Sequence, residues 1–171
     1  MILCYTGNGK GKTTAALGAA LRALGYGWNV CVIQFMKGTW HTGELDSIKN
    51  IPGIDLIQAG KGFYKILDDQ FPEEEHRQAV ADAVALIKER IGCGKYQLII
   101  LDEVNVAAYL KLLEEDVIIQ LLKSAPPNLH FILTGRNAPP SFIELADLVT
   151  EMREIKHPFQ KGVQAEKGLD F

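Results

Sequence analysis

Short apolar runs alternate along the chain with longer stretches of helical periodicity. The runs Ile2–Thr6, Val30–Phe35, Asp55–Ala59, Leu98–Asp102, His130–Thr134 and Leu148–Met152 are rich in Ile, Leu and Val and close on polar residues or glycine. Strands buried on both faces, as in a parallel sheet, carry this pattern. Between them, helical patterns span Lys12–Leu24, Glu73–Ile91, Glu115–Ser124 and Ser141–Ala146. In the second of these, Ala79, Val80, Ala83, Val84, Ile87 and Ile91 trace one face. Pro72 and the acidic residues Glu73, Glu74 and Glu75 mark its start, where negative charge meets the positive end of the helix dipole; Gly92 and Gly94 mark its end. The segment Asn105–Leu113 fits neither period cleanly, and the polar segment His157–Phe171 reads as chain that wraps the surface. The alternation predicts an α/β architecture, a mostly parallel sheet of about six strands with helices on both faces. No repeat, linker or low-complexity tract interrupts it, so residues 1–171 are expected to form a single domain.

Composition narrows the function classes. The chain is 47% hydrophobic and 23% charged, with a net charge of −3 and no Lys/Arg block longer than two residues. The basic stripe of a nucleic-acid-binding protein is missing, so nucleic acid is not an expected partner. No apolar run reaches the roughly 18 residues of a membrane span. The segment Met1-Ile2-Leu3-Cys4 lacks the basic region and cleavage site of a signal peptide. Cys4, Cys31 and Cys93 show neither metal-ligand spacing nor a disulfide framework. These features together predict a cytoplasmic protein.

The chemistry concentrates in Thr6-Gly7-Asn8-Gly9-Lys10-Gly11-Lys12-Thr13-Thr14, which follows an expected strand and opens an expected helix. That is the setting of a phosphate-binding P-loop. Its glycines let successive backbone N–H groups point into one concavity, and the helix N-terminus adds positive potential. Lys12 is placed to contact phosphate oxygens, and the Thr13 hydroxyl to reach a magnesium ion. The spacing departs from the usual pattern: Thr6 stands where the first glycine is usual, and counted from Gly7 the loop is one residue short. Leu98–Glu103 is an apolar strand ending in acids, the arrangement that brings carboxylates to the magnesium ion of P-loop proteins. If the strand continues, Asp102 and Glu103 point to opposite faces, and Glu103 is favoured for the metal. Thr134-Gly135-Arg136 ends another strand at the same edge, where ligands sit in this fold class. Arg136 either faces the nucleotide or makes a surface ion pair. His41, with no Ser or Cys nucleophile beside it, reads as a solvated loop histidine, and Trp28 as packing. The predicted fold is therefore P-loop NTPase-like (RecA-like), in three layers.

At this level of detail the chain resembles the ATP:corrinoid adenosyltransferases of the CobA/BtuR type. The resemblance is carried by the loop from Gly7 to Thr14, by Gln34-Phe35-Met36-Lys37-Gly38-Thr39-Trp40 with Gly43-Glu44, and by Leu101-Asp102-Glu103 and Thr134-Gly135-Arg136. It closes on Lys156-His157-Pro158-Phe159 and Lys161-Gly162-Val163-Gln164-Ala165. It implies a reaction in which the 5′-deoxyadenosyl group of ATP passes to Co(I) of a corrinoid, cobalamin or cob(I)yrinic acid a,c-diamide, with release of triphosphate. It implies a magnesium cofactor, a flavoprotein-type reductant and a homodimer as further partners, and a role in adenosylcobalamin biosynthesis or salvage. Among the residues it implies, Lys12, Lys10 and Phe63 are catalytic. Gly7, Asn8, Gly9, Lys10, Gly11, Lys12, Thr13, Thr14, Arg22, Trp40 and Arg136 bind the substrates, and Thr13 and Glu103 hold the metal. Co(I) is itself a strong nucleophile, so no protein nucleophile or general base is called for.

Two departures bear on corrinoid handling. Gly62-Phe63-Tyr64-Lys65 stands where members carry Gly-Phe-Thr-Trp, so Phe63 is kept and Lys65 replaces the tryptophan of an aromatic pair implied to close on the corrinoid. The chain also begins at its first expected strand, without the N-terminal extension that longer members use to cover the site. Two rivals share the loop: a P-loop kinase or ATPase, which would release ADP, and a non-catalytic corrinoid or nucleotide binder.

Overall fold

A computed structural model describes residues 1–38, 41–62, 64 and 69–170. Its six strands are β1 (Ile2–Thr6), β2 (Val30–Gln34), β3 (Ile54–Gln58), β4 (Leu98–Asp102), β5 (His130–Thr134) and β6 (Leu148–Glu151), in the spatial order β3-β2-β4-β5-β1-β6. Every pairing among them is parallel. β5 is thus interposed between β1, which feeds the glycine-rich loop, and β4, which ends in acids; this is the RecA-like arrangement of a three-layer P-loop fold.

Alternation along each strand sorts the side chains into two cores. Val30, Val32, Leu98, Ile100 and Ile132 face one way and pack on Ala16, Ala20 and Ala23 of α1 (Lys12–Gly25), with Ile48 of α2 (Gly43–Lys49) beside them. The small alanine face of α1 lets that helix lie close to the sheet. Cys31, Ile33, Ile99, Leu101 and Phe131 face the other way. They are covered by α3 (Glu73–Gly92), α4 (Val104–Tyr109), α5 (Glu115–Ser124) and α6 (Pro140–Leu145). With both faces covered, β2 and β4 are buried along their whole length, which is why they read as unbroken apolar runs. Burial also pushes the Cys31 thiol up to about 12, a packing role. Trp28 stacks on His130 with ring centroids 5.1 Å apart, again packing.

Two helices go beyond the sequence expectation. α2 occupies a stretch to which the sequence pattern assigned no element, and α4 resolves the ambiguous segment after β4. Residues 157–170 contain one short 3-10 turn, Pro158–Lys161, and otherwise wrap the surface as expected.

Candidate functional site

The two-sidedness of the sheet builds the site. Gln34, Asp102 and Thr134 end three neighbouring strands, each two residues beyond a side chain of the α1 core, so all three polar groups point to the α1 side. Asp102, fully buried, accepts a hydrogen bond from the Thr13 hydroxyl at 2.8 Å, from the Thr134 hydroxyl at 2.7 Å and from Gln34 Nε2 at 3.1 Å. The first threonine of α1 is thereby locked to the acidic strand. Gln34 extends the network to Glu44 at the start of α2, which Lys37 Nζ meets at 2.5 Å. Burial by itself would raise the Glu44 carboxyl, but the hydrogen bond and charge of Lys37 hold it below its ordinary value.

β4 ends at Asp102, and Glu103 takes the left-handed conformation (φ 64, ψ 19). Strand alternation therefore stops, and the expectation that the two acids face opposite ways does not apply. Glu103 lines the same cleft as the loop lysine Lys12. Burial first, and the neighbouring Asp102 second, push its carboxyl up to about 7, with Lys12, Arg136 and Lys37 opposing the rise. A non-glycine residue held at positive φ in a cleft fits a functional position.

The P-loop itself is buttressed by the exit of β6. Met152 N donates to the Thr6 carbonyl at 2.8 Å, and Gly9 N donates to the Met152 carbonyl at 2.6 Å. A Cβ on Gly9 would lie 2.7 Å from the Met152 oxygen, and one on Gly7 2.4 Å from it. These glycines are thus required by the approach of another backbone. The Gly9 amide, expected from the sequence among the phosphate donors, is already committed. Lys12 is nearly buried; its Nζ donates to the carbonyls of Gly7 at 2.8 Å and Gly9 at 2.7 Å. Desolvation lowers its pKa, and the charge of Glu103 partly restores it.

Of these groups, Lys12, Thr13, Lys37, Glu44 and Glu103 line one cleft of about 770 Å³. Asn8 to Thr14 form its floor; Lys37, Glu44, Glu103 and Arg136 form a polar wall. Leu17, Leu21, Ile48 and Ile51 continue it as an apolar groove between α1 and α2. Arg136 is exposed and makes no ion pair among the described residues. Lys10 makes an ion pair with Asp170, which lines the same cleft. Arg22 is exposed in the last turn of α1 and is not among the cleft residues, so the structure does not bring it to the phosphate loop. His41 is exposed and bonds Asp46 at 2.9 Å. Trp40, Phe63 and Lys65 lie outside the described residues. Sequence reasoning missed Gln34 as part of the hub; a polar side chain closing an otherwise apolar strand was the available signal. It also missed the return of His157, Leu169 and Asp170 to the cleft.

A glycine-rich loop between β1 and α1, with its threonine tied to a buried aspartate on a strand one place removed, defines a P-loop nucleotide-binding protein. Comparison with known proteins gives the family. The model for "ATP:corrinoid adenosyltransferase BtuR/CobO/CobP" matches residues 1–171, and the chain belongs to that family of transferases. The corrinoid adenosyltransferase of Pseudomonas aeruginosa is 37% identical over 172 residues, covering 100% of this chain and 83% of that protein. The enzyme of the same name from Escherichia coli K12 is 36% identical, covering 100% of this chain and 85% of its own. Among solved structures, a KaiC-like protein of Pyrococcus horikoshii aligns over 91% of this chain and 74% of its own, at 17% identity and a TM-score of 0.46.

Proposed function

We propose that this protein adenosylates a corrinoid: the Co(I) electron pair forms a bond to C5′ of ATP, the C5′–O bond breaks, and its electrons leave with triphosphate. The observation that carries this reading is the convergence of Lys12, Thr13 and Glu103 on one cleft, with Asp102 holding Thr13 from behind, in a chain of this family. The corrinoid brings the nucleophile, so the protein's work is to hold the phosphate chain and answer the charge that grows on it. Lys12, with the amides at the start of α1, supplies preorganised positive potential there, and Lys10, ion-paired with Asp170 in the free protein, is the second cation. The remaining barrier is positional, the fixing of C5′ against cobalt. The free apolar groove between α1 and α2 leaves the phosphate floor at one end, so the same cleft offers both polar and apolar contact.

The donors present suit magnesium: the Thr13 hydroxyl and the Glu103 carboxylate are hard oxygen ligands beside the phosphate floor, and Asp102 orients the threonine from behind. Bound there, magnesium would neutralise charge on the phosphate chain. A reductant of flavoprotein type, a homodimer and a cytoplasmic setting belong to the same reading, through the resemblance; no described helix is long and apolar enough to cross a membrane. Anaerobic incubation with ATP, magnesium and chemically reduced cobalamin, followed by the visible spectrum, tests it. The spectrum of adenosylcobalamin is expected, and an unchanged Co(I) spectrum would contradict the proposal.

A further inference from the structure

After β6 the chain leaves the P-loop and then comes back to it. Its root is fixed by the bond from Gly9 N to the Met152 carbonyl, 2.6 Å long. The 3-10 turn Pro158–Lys161 is capped by His157, whose Nδ1 accepts the Phe159 N–H at 3.2 Å. A ring nitrogen that accepts carries no proton, so the neutral imidazole bears its hydrogen on Nε2. His157 lines the main cleft and also an adjoining cavity of about 350 Å³, shared with Gly9, Lys10, Arg153 and Lys156. The ring lines a corner next to the phosphate floor where three cations, Lys10, Arg153 and Lys156, meet two acids, Glu154 and Asp170.

Asp170 lines both spaces too. A turn holds it: its N donates to the Glu166 carbonyl at 2.8 Å, and its Oδ2 accepts the Glu166 N–H at 2.7 Å. The other carboxylate oxygen, Oδ1, takes Lys10 Nζ. An oxyanion gripped by a backbone amide on one side and a loop lysine on the other is the arrangement a P-loop makes with phosphate. Lys10 is therefore already answered by an internal anion in the free protein, while Lys12 is answered by carbonyls of its own loop.

We propose that segment 157–170 is a second wall of the polyphosphate site, in which the phosphate chain of ATP takes Lys10 from Asp170 and accepts the Nε2 hydrogen of His157. The inference rests on the cleft being the ATP site. It assigns the segment a ligand class, the phosphate chain, and no contact with the base, because its polar groups gather at Gly9 and Lys10. Inorganic tripolyphosphate, which carries the chain without the nucleoside, should use the same wall.

Titration calorimetry of the purified protein with magnesium tripolyphosphate and with ATP tests this. His157→Ala should weaken both by about tenfold, the loss of one hydrogen bond to a charged group. His157→Gln, whose amide N–H can replace the Nε2 donor, should recover most of that loss, which a purely structural role would not require. Asp170→Asn removes the competing anion and should tighten tripolyphosphate by a few-fold at most, because an exposed ion pair contributes little. Thermal unfolding of each variant checks that the fold is retained. Unchanged affinity in His157→Ala, or weaker binding in a folded Asp170→Asn, would overturn the proposal. Wild-type adenosylation in the same preparation separates the two levels. If the wild type makes adenosylcobalamin while the variants bind tripolyphosphate unaltered, only the wall is wrong. A wild type that binds neither ATP nor tripolyphosphate sinks the wall and the ATP reading together.

Discussion

Gly9→Ala separates two reasons for a glycine in a phosphate loop. One is approach of a phosphate; the other, visible here, is approach of the Met152–Arg153 backbone. A Cβ at Gly9 would sit 2.7 Å from the Met152 oxygen and 2.8 Å from both the carbonyl carbon and oxygen of Arg153. All three are main-chain atoms, so no side-chain rotation relieves the clash. Either the bond from Gly9 N to Met152 breaks, at about 0.5–1.5 kcal/mol, or the exit of β6 moves, at the roughly 1–3 kcal/mol typical of overpacking. Depending on which gives way, the loss is about 0.5–3 kcal/mol, or roughly 1–12 °C in Tm for a chain of this size. The loss should appear with no nucleotide or metal present. Gly18→Ala is the control: Gly18 is exposed in α1 with no heavy atom within 4 Å of its would-be Cβ. It should gain about 0.5–1 kcal/mol from helix propensity. Thermal and urea unfolding of both variants decides the matter. A Gly9→Ala protein that unfolds at the wild-type midpoint and loses only ATP affinity would refute the buttress and return the glycine to the phosphate.

Lys12→Ala should leave the protein folded and lower turnover by roughly 10²–10³, the loss expected of one preorganised contact to the leaving group; near-normal turnover in a folded variant would remove Lys12 from that role. Glu103 has its carboxyl raised to about 7 from an ordinary 4.5, so its contribution to stability is present below pH 4.5 and is lost as pH rises through 7. Glu103→Gln should therefore stabilise the metal-free, nucleotide-free protein by about 1–3 kcal/mol at pH 8 and by little at pH 4.5. An equal gain at both pH values would show that ionisation is not the cause. Phe63→Ala should reduce turnover much more when the assay starts from Co(II) than from Co(I) corrinoid, if its aromatic ring excludes water and the axial ligand; equal losses would make Phe63 plain packing.

The sheet was legible because burial on both faces writes itself into the sequence. β1, β4 and β5 have the bounds their apolar runs predicted. β2 stops one residue early, at Gln34, although Phe35 is buried and still donates to the Asp102 carbonyl at the end of β4. α2 was illegible: it has seven residues, and only Leu45 and Ile48 are large and apolar, too few to trace a period. α4 is short and buried on most sides, so its sequence shows no face. The phosphate loop and the acids of β4 were readable because each is a local string. What joins them was not. Thr13 meets Asp102 across 89 positions and Lys10 meets Asp170 across 160, and neither string carries a mark of the other. The turn of Glu103 out of the strand likewise left no signal, since an acid after a strand is as compatible with extended chain as with a left-handed bend. For Arg22, ten residues beyond Lys12, helix geometry places it about 15 Å along α1 from the loop.

The central claim is that the bond broken in ATP lies at C5′ and that the phosphates leave as one unit. Phosphorus NMR of an anaerobic reaction with ATP, magnesium and Co(I) cobalamin, with adenosylcobalamin counted from the visible spectrum of the same sample, measures this directly. The predicted result is one triphosphate for each adenosylcobalamin and little ADP or free phosphate. Stoichiometric ADP, with no cobalt–carbon product, would contradict it.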